Sequence, residues 1–489
     1  MLLENELVVD NFAGGGGASS GIERAINRSV DISVNHDIQA IDMHSLNHPN
    51  SLHFCEDVFT VNPVEVCKGR PVGIAWFSPD CRHFSKAASS TPRSKSIRGL
   101  AWVVIKWAAS VPVRIFNVEN VSEFLTWGPL VEGRPCKERK GETFDGFIKA
   151  LTTGLGKKHG AYSDIYHALF RGNFDISYKL NLYKKIKHGL GYNVEWRILK
   201  ACDYGVPTIR KRLFLVARND GNEIRWPEIT HGNDEGLKPF KTAADIIDWS
   251  IPVKSIFNRS KPLATKTMVR IAKGIERYVL SAKKPFLVPD ECVIPFITEH
   301  ANGSSQRNMA ADEPLRTICS SVKGGHFALV SAKLTRCNDN ELVASHMIKM
   351  RGTNLGHGTD EPVHTISAGG LHIGEVRTYL VKYLGEDDAK RVKRPLTNIT
   401  EDDLLGIVTI NDIDYQITDI GMRMLEPHEL FAANGFDKSY LISHNSKGKK
   451  LSKASQVARC GNAVTPPVAE ALIRANLYQD EERQQQRAA

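Results

Sequence analysis

The residues most able to do covalent chemistry lie in Ser78-Pro-Asp-Cys-Arg-His-Phe-Ser85, which sets Cys81 among Arg82, His83 and Lys86. Cysteine is the most nucleophilic side chain once ionised, and nearby cations lower its pKa from about 8.5. The plainer reading is a buried structural cysteine, the commoner fate of a lone Cys. Asp80 acts against a nucleophile, because a carboxylate beside a thiol opposes thiolate formation. A second candidate is Glu119, in Asn117-Val-Glu-Asn-Val121 at the end of an apolar run. A carboxyl group beside apolar strands could donate a proton, whereas a lone strand-end Glu is normally a helix cap. Thr208-Ile-Arg-Lys-Arg-Leu-Phe214 adds Arg210 and Arg212 on one face at period two. Two adjacent guanidinium groups suit a carbonyl oxygen, a carboxylate or a phosphate.

A third constellation speaks for a ligand. Asp10-Asn-Phe-Ala-Gly-Gly-Gly-Gly17 joins a strand to a helix. Glycines there admit a ligand to the backbone and the helix start offers free N–H groups, although a tight turn would use glycine too. Asp37 and Asp57 fall where later strands should end, positions from which acids can hold a ribose and an adenine amino group. Together with Asp10 they suggest an adenosyl cofactor. No Lys-Ser/Thr pair follows the glycines, which argues against a nucleoside triphosphate. Between positions 82 and 98 there are five basic residues, Arg82, Lys86, Arg93, Lys95 and Arg98, and no acid. This stretch is either a solvated loop or a mobile basic lid over a phosphate backbone.

The elements that must position these groups alternate as in a parallel sheet with crossover helices. Strands are expected at 7–12, 31–34, 72–77, 113–118, 192–199 and 213–217, and helices at 19–27, 38–46 and 97–110. Short apolar strands between helices argue a doubly wound, mostly parallel α/β sheet of Rossmann type. The balance of the chain agrees. Its 489 residues carry 64 Lys+Arg against 55 Asp+Glu, a net charge of +9, with 42% hydrophobic and 24% charged residues. That excludes wholesale disorder and suggests two or three domains. The most apolar stretch, 100–116, is broken by Lys106 and Arg114, so no membrane span is expected. Glu4 and Glu6 stand where a secretory signal would be basic. Nine cysteines without a CxxC pair favour a reducing cytoplasm over a disulfide or zinc scaffold.

After Trp226 prolines punctuate short segments and the α/β rhythm stops, which marks a second domain rich in strands and turns. It holds a near-repeat: Asp312-Glu-Pro-Leu-Arg-Thr-Ile318 recurs as Asp360-Glu-Pro-Val-His-Thr-Ile366, 48 residues on, each followed by a Gly-Gly pair. Lys261-Pro-Leu-Ala-Thr265 is a fainter third copy. Such units are as readily a reused turn and strand as a recognition device. The expected division is 1–225, 226–452 and a helical C-terminal return over 453–489.

In their order along the chain, these motifs resemble the DNA (cytosine-5)-methyltransferase family. The glycine loop looks like its cofactor motif, Pro79-Asp-Cys81 like its Pro-Cys motif, and Glu119-Asn-Val121 like its Glu-Asn-Val. Gly205-Val-Pro-Thr-Ile-Arg-Lys-Arg212 is similar to its Gln-x-Arg-x-Arg segment. Arg423-Met-Leu-Glu-Pro-His-Glu-Leu through Asn434-Gly-Phe436 and Gly461-Asn-Ala-Val464 look like its closing motifs. Asp80, Arg82, Thr208 and His36 depart from the usual Pro, Gln, Gln and acid. The resemblance implies the S-adenosylmethionine-dependent methyltransferase fold, with the second domain recognising DNA. It implies Cys81, Glu119, Arg210 and Arg212 as catalytic residues. Asp10, Phe12, Gly14, Gly15, Gly16, Asp37, Asp57, Asn462 and Val464 would hold S-adenosylmethionine, and no metal is called for. Arg82, Lys86, Arg93, Lys95 and Arg98 would contact DNA. The implied partner is double-stranded DNA, bound by a monomer in the cytoplasm of a bacterial or phage-infected cell, with a cognate restriction endonuclease as a further partner. A DNA-binding relative silenced by Asp80, and an RNA cytosine methyltransferase, are the alternative readings.

Overall fold

In the computed structural model the described residues are 2–80, 95–169, 174–257, 259–280 and 425–477, together with short pieces, mostly strands, between 282 and 424. The first 218 residues build one sheet. Its strands are β1 (Leu7–Asn11), β2 (Ile32–Val34), β3 (Leu52–Phe54), β4 (Val72–Phe77) and β5 (Val113–Asn120), followed after a small hairpin, β6 (Leu130–Val131) and β7 (Arg134–Pro135), by β8 (Asn193–Lys200) and β9 (Lys211–Arg218). The order is β3-β2-β1-β4-β5-β9-β8. β1 to β5 run parallel, and β9 enters antiparallel between β5 and β8. The sheet is therefore doubly wound and mostly parallel, and the order reverses beside β1 and β4, where such sheets bind ligands.

Sequence explains the layers. β4 is a continuous apolar run buried at every position, as a central parallel strand must be. One face is covered by α1 (Gly17–Ile26) and α12 (Pro466–Leu477), whose Ile22, Leu472 and Ile473 meet Val8, Ile74 and Trp76. The other is covered by α5 (Trp102–Ser110), α6 (Glu142–Leu151), α7 (Tyr162–Leu169) and α8 (Ile176–His188) around Trp102, Trp107, Phe116 and Phe147. α2 (Ile38–Asn47) and the short α3 (Pro63–Cys67) complete the crossovers. The helix expected over 97–110 is split: α4 (Lys95–Arg98) passes through a 3₁₀ turn at Gly99–Ala101 into α5. Gly99 carries the lowest propensity of any non-proline residue for the interior of a helix.

On either side of α9 (Thr265–Ile275) the described residues build a nine-stranded sheet. It contains β10 (Lys254–Ser255), β11 (Phe296–Glu299), β12 (Asn308–Ala310), β14 (Phe327–Ser331), β15 (Glu341–Lys349), β16 (Gly356–Gly358), β18 (Ile373–Lys382), β19 (Ile407–Ile410) and β20 (Ile413–Met424). β13 (Ile318–Cys319) and β17 (Ile366–Ser367) form a separate pair. The core under this sheet continues into α10 (Pro427–Ala433) and α11 (Lys453–Asn462), which lead back to α12. Among the described residues no helix is long and apolar enough to cross a membrane.

Candidate active site

Because β1 to β5 are parallel and β9 is antiparallel, one edge of the sheet collects the loops after β1, β2, β3, β4 and β5 and the start of β9. The glycine loop, Asp37, Asp57, Pro79, Glu119, Arg210 and Arg212 all lie on that edge.

The glycines serve two purposes. Phe12 (φ 63°) and Gly14 (φ 55°) turn the chain left-handed after β1. Among the described residues a Cβ on Gly14 would meet nothing nearer than the Phe12 carbonyl at 3.7 Å, which leaves the backbone there open to a ligand. The next three glycines are instead pressed against the C-terminal elements. A Cβ would lie 3.3 Å from Arg459 Cβ at Gly15, 2.1 Å from the Tyr440 hydroxyl at Gly16 and 2.0 Å from the Val464 carbonyl at Gly17. Three of the four glycines thus form a docking surface for α11 and the segments on either side of it. Val464 meets the loop through its backbone while its side chain is buried, and Asn462 is exposed at the end of α11.

The three aspartates differ. Asp10 is fully buried and accepts a hydrogen bond from Ser19 Oγ at 2.7 Å, so it braces the loop from behind. Burial pushes its carboxyl up to about 7, against the lowering effect of Ser19. Ser19 Oγ also lies 2.9 Å from Nε2 of His44, whose Nδ1 is 2.8 Å from His53 Nε2. Burial holds the His44 imidazole well below its ordinary pKa, so the ring is neutral. With Ser19 donating to Asp10, His44 carries its proton on Nε2 and accepts at Nδ1 from His53. Asp37 caps α2 through Gln39 N and pairs with Arg459 at 2.7 Å. Asp57 is exposed after β3, and its turn is held by Lys106, whose Nζ donates to the carbonyls of Phe59 (2.8 Å) and Val61 (2.6 Å). Lys106, which in the sequence only interrupts an apolar run, is buried, and desolvation pushes its pKa down to about 7.

Glu119 and the two arginines meet at this edge. Arg212 Nε lies 3.0 Å and Arg210 Nη2 3.8 Å from Glu119 Oε1. Arg210 is nearly inaccessible and donates to the Gly461 carbonyl at 3.2 Å, which joins this cluster to the end of α11. Asn120 Nδ2 donates to the Pro79 carbonyl at 3.0 Å, fixing the chain two residues before Cys81. Cys81, Arg82, Lys86 and Arg93 lie outside the described residues, as does the side chain of Lys95. Arg98, expected among the DNA contacts, is 4% exposed and donates to the Gly128 carbonyl at 3.0 Å, which holds its guanidinium against the domain.

The near-repeat has a structural counterpart. β13 and β17 pair in parallel with Ile318 opposite Ile366, the same position of the two copies, and both strands touch α11. Leu315 of the first copy pairs with Thr208, its N–H donating to Pro207 and its carbonyl accepting from Ile209. The third copy forms no strand and leads into α9. Arg316 and Lys323, the charges near the first copy that would contact bases if the repeat reads DNA sequence, lie outside the described residues. At the end of β20 Arg423 grips Glu429 with two hydrogen bonds of 2.9 Å, and after α10 Asn434 bonds the carbonyls of Cys460 and Ala463.

A sheet of this order, with a glycine loop and an acid–arginine cluster at its carboxyl edge, defines a ligand-binding α/β fold of the doubly wound class. Residues 177–477 match the family described as C-5 cytosine-specific DNA methylase, and the chain belongs to that family. It is 56% identical to the type II methyltransferase M.BspRI of Lysinibacillus sphaericus over 59 residues, 12% of this chain and 14% of that protein. It is 26% identical to the type II methyltransferase M.SacI of Streptomyces achromogenes over 245 residues, 46% of this chain and 51% of that one. The chain thus spans no more than about half of the length of these two relatives. It is also similar to the crystal structure of the S. pombe Dnmt2 methyltransferase, at 12% identity and a TM-score of 0.41 over 96% of this chain and 97% of that one.

Proposed function

We propose that this protein methylates carbon 5 of cytosine in a specific duplex DNA sequence. The observation that carries the reading is the meeting of Glu119, Arg210 and Arg212 beside Pro79, two residues before Cys81. The open backbone at Gly14, with Asp57 exposed on the same edge, fits S-adenosylmethionine. Phe12, Gly14, Asp37 and Asp57 would hold that cofactor, with Asn462 and Val464 closing the loop. When bound, it supplies an electrophilic methyl group.

The chain's own residues do the rest. The cytosine is flipped from the stack, at a cost of a few kcal/mol recovered in the pocket. Cys81 thiolate adds to carbon 6, and the displaced electron pair moves toward carbon 5. Glu119, in its protonated form, hydrogen-bonds ring nitrogen 3, while Arg212 and Arg210 steady the oxygen at position 2. After methylation, loss of the carbon 5 proton expels the cysteine sulfur and frees 5-methylcytosine. Residues 1–225 with 453–489 would form the catalytic unit, and 226–452 the recognition unit. The roughly 190 residues between Trp226 and Gln416 favour duplex DNA, since reading base edges in the major groove needs a large dedicated surface. A restriction endonuclease of the same specificity would be the partner in the cell.

Labelled cofactor offered with duplex DNA, single-stranded DNA and tRNA tests this reading. Label should enter duplex DNA, and a fluorinated cytosine at the target should trap the wild-type chain and not Cys81→Ser. Label entering tRNA alone, or no label with DNA still bound, would replace it with one of the two alternatives.

A further inference from the structure

The segment after α10 reaches back over the cofactor loop at one point that no family motif named above explains. Tyr440 donates its hydroxyl proton to the Gly15 carbonyl at 2.7 Å. Its oxygen is 3.2 Å from His48 Nε2, and His48 Nδ1 is 2.8 Å from Glu23 Oε2. His48 is 4% exposed. The four groups therefore form a line from α1 through the end of α2 to the glycine loop. Gly16 is shaped around it, because a Cβ there would strike the Tyr440 hydroxyl at 2.1 Å and His48 Nε2 at 2.7 Å. The Tyr440 ring is locked between Phe436 (4.7 Å between centroids) and Phe431 (6.3 Å). The neighbouring chain is tied separately to α2, where Asn47 exchanges two hydrogen bonds with Leu441.

From this geometry we infer that Tyr440 is a positioning residue for the methyl donor, holding the Gly15 carbonyl turned away so that the backbone at Gly14 faces the ligand. The inference rests on the reading of that loop as the S-adenosylmethionine site. A peptide unit at glycine rotates at little steric cost, so a loop of consecutive glycines keeps one conformation only where something outside it fixes a carbonyl. Tyr440 supplies that constraint, and Glu23 and His48 hold the tyrosine oxygen in place. The arrangement also makes the C-terminal segment part of the cofactor site, although it lies more than 400 residues away in sequence.

The test uses the full chain. Tyr440→Phe removes one hydroxyl and keeps the ring packing. It should raise KM and Kd for S-adenosylmethionine about tenfold, the worth of one buried hydrogen bond. The rate at saturating cofactor and the affinity for duplex DNA should stay within about twofold, which is below the effect of one hydrogen bond. Glu23→Gln should give a smaller rise in the same direction. Arg24→Met, which cuts the exposed ion pair to Asp437 on the same segment, should leave cofactor affinity unchanged. Unchanged cofactor affinity in Tyr440→Phe overturns the inference. So does an equal loss of cofactor and DNA binding together with a lowered melting temperature, since that marks a brace for the whole domain. If Tyr440→Phe does not fold, Glu23→Gln decides alone, and an unchanged KM there overturns the proposal. A wild-type chain that binds neither S-adenosylmethionine nor S-adenosylhomocysteine would instead remove the functional reading beneath it.

Discussion

Replacing Asp10 by Asn changes one atom in the most buried ionisable group of the glycine loop, and its effect on stability should depend on pH in a direction the structure dictates. The Asp10 side chain is fully buried, with Oδ2 bonded to Ser19 and no hydrogen-bond partner for Oδ1 among the described residues. Desolvation raises its pKa from 3.8 to about 7. Below about pH 4 the carboxyl is protonated in both folded and unfolded chains and costs nothing by this route. Between about 4 and 7 the unfolded chain is ionised while the folded one retains its proton, so stability falls as pH rises. Above about 7 the whole penalty is present. At 1.36 kcal/mol for each pKa unit, its upper bound is about 4 kcal/mol. Asparagine keeps an acceptor for Ser19 and never ionises, at a cost of roughly 1–3 kcal/mol for a buried amide proton left without a partner. Asp10→Asn should therefore be the less stable chain near pH 4 and the more stable one near pH 8. Urea unfolding at four pH values, followed through the tryptophans buried in the same domain (Trp76, Trp102, Trp107 and Trp127), measures the difference. Two curves that run parallel from pH 4 to pH 8 would refute the argument.

Arg98→Met should lower thermal stability and leave the salt dependence of DNA binding as it is, because the guanidinium serves Gly128; a flatter salt slope would return Arg98 to the phosphate-binding set. Asn120→Ala frees the Pro79 carbonyl and should lower the turnover rate by about 10- to 100-fold, in proportion to a lost buried hydrogen bond of about 1–3 kcal/mol, with cofactor affinity unchanged by calorimetry. Leu315→Pro removes the N–H given to Pro207 and should loosen the arginine segment, lowering the turnover rate while the pattern of methylated sites stays the same; a changed site pattern would make the repeat a reader of sequence.

β1, β2, β4 and β5 were legible because each is a short apolar run between helix signals, and a buried parallel strand needs little else, whereas β3, three partly exposed residues at the sheet edge, was not among the expected strands. Val72–Phe77 lies just where its hydrophobic run does. Arg210 and Arg212 were legible as a pair because alternate residues of an extended chain share a face, and both do reach Glu119. Local pattern could not say which neighbour a side chain would meet. Arg98 reads as one more cation of a basic loop until the fold puts the Gly128 carbonyl beside it. Asp10 reads as a ligand contact until α1 turns Ser19 onto it and the helices remove its water. The glycine run is the clearest division. Its need for a left-handed turn was visible in the residue type, since only glycine adopts such backbone at little cost. The reason Gly16 and Gly17 must lack a side chain is the approach of Tyr440 and Val464, and only long-range packing decides that. Hydrophobic period and turn chemistry act over a few residues and are written in the order of the chain. Burial, desolvation and ion pairing depend on which segments share a volume, and for this protein that means a glycine loop near residue 15 completed by a segment near residue 440.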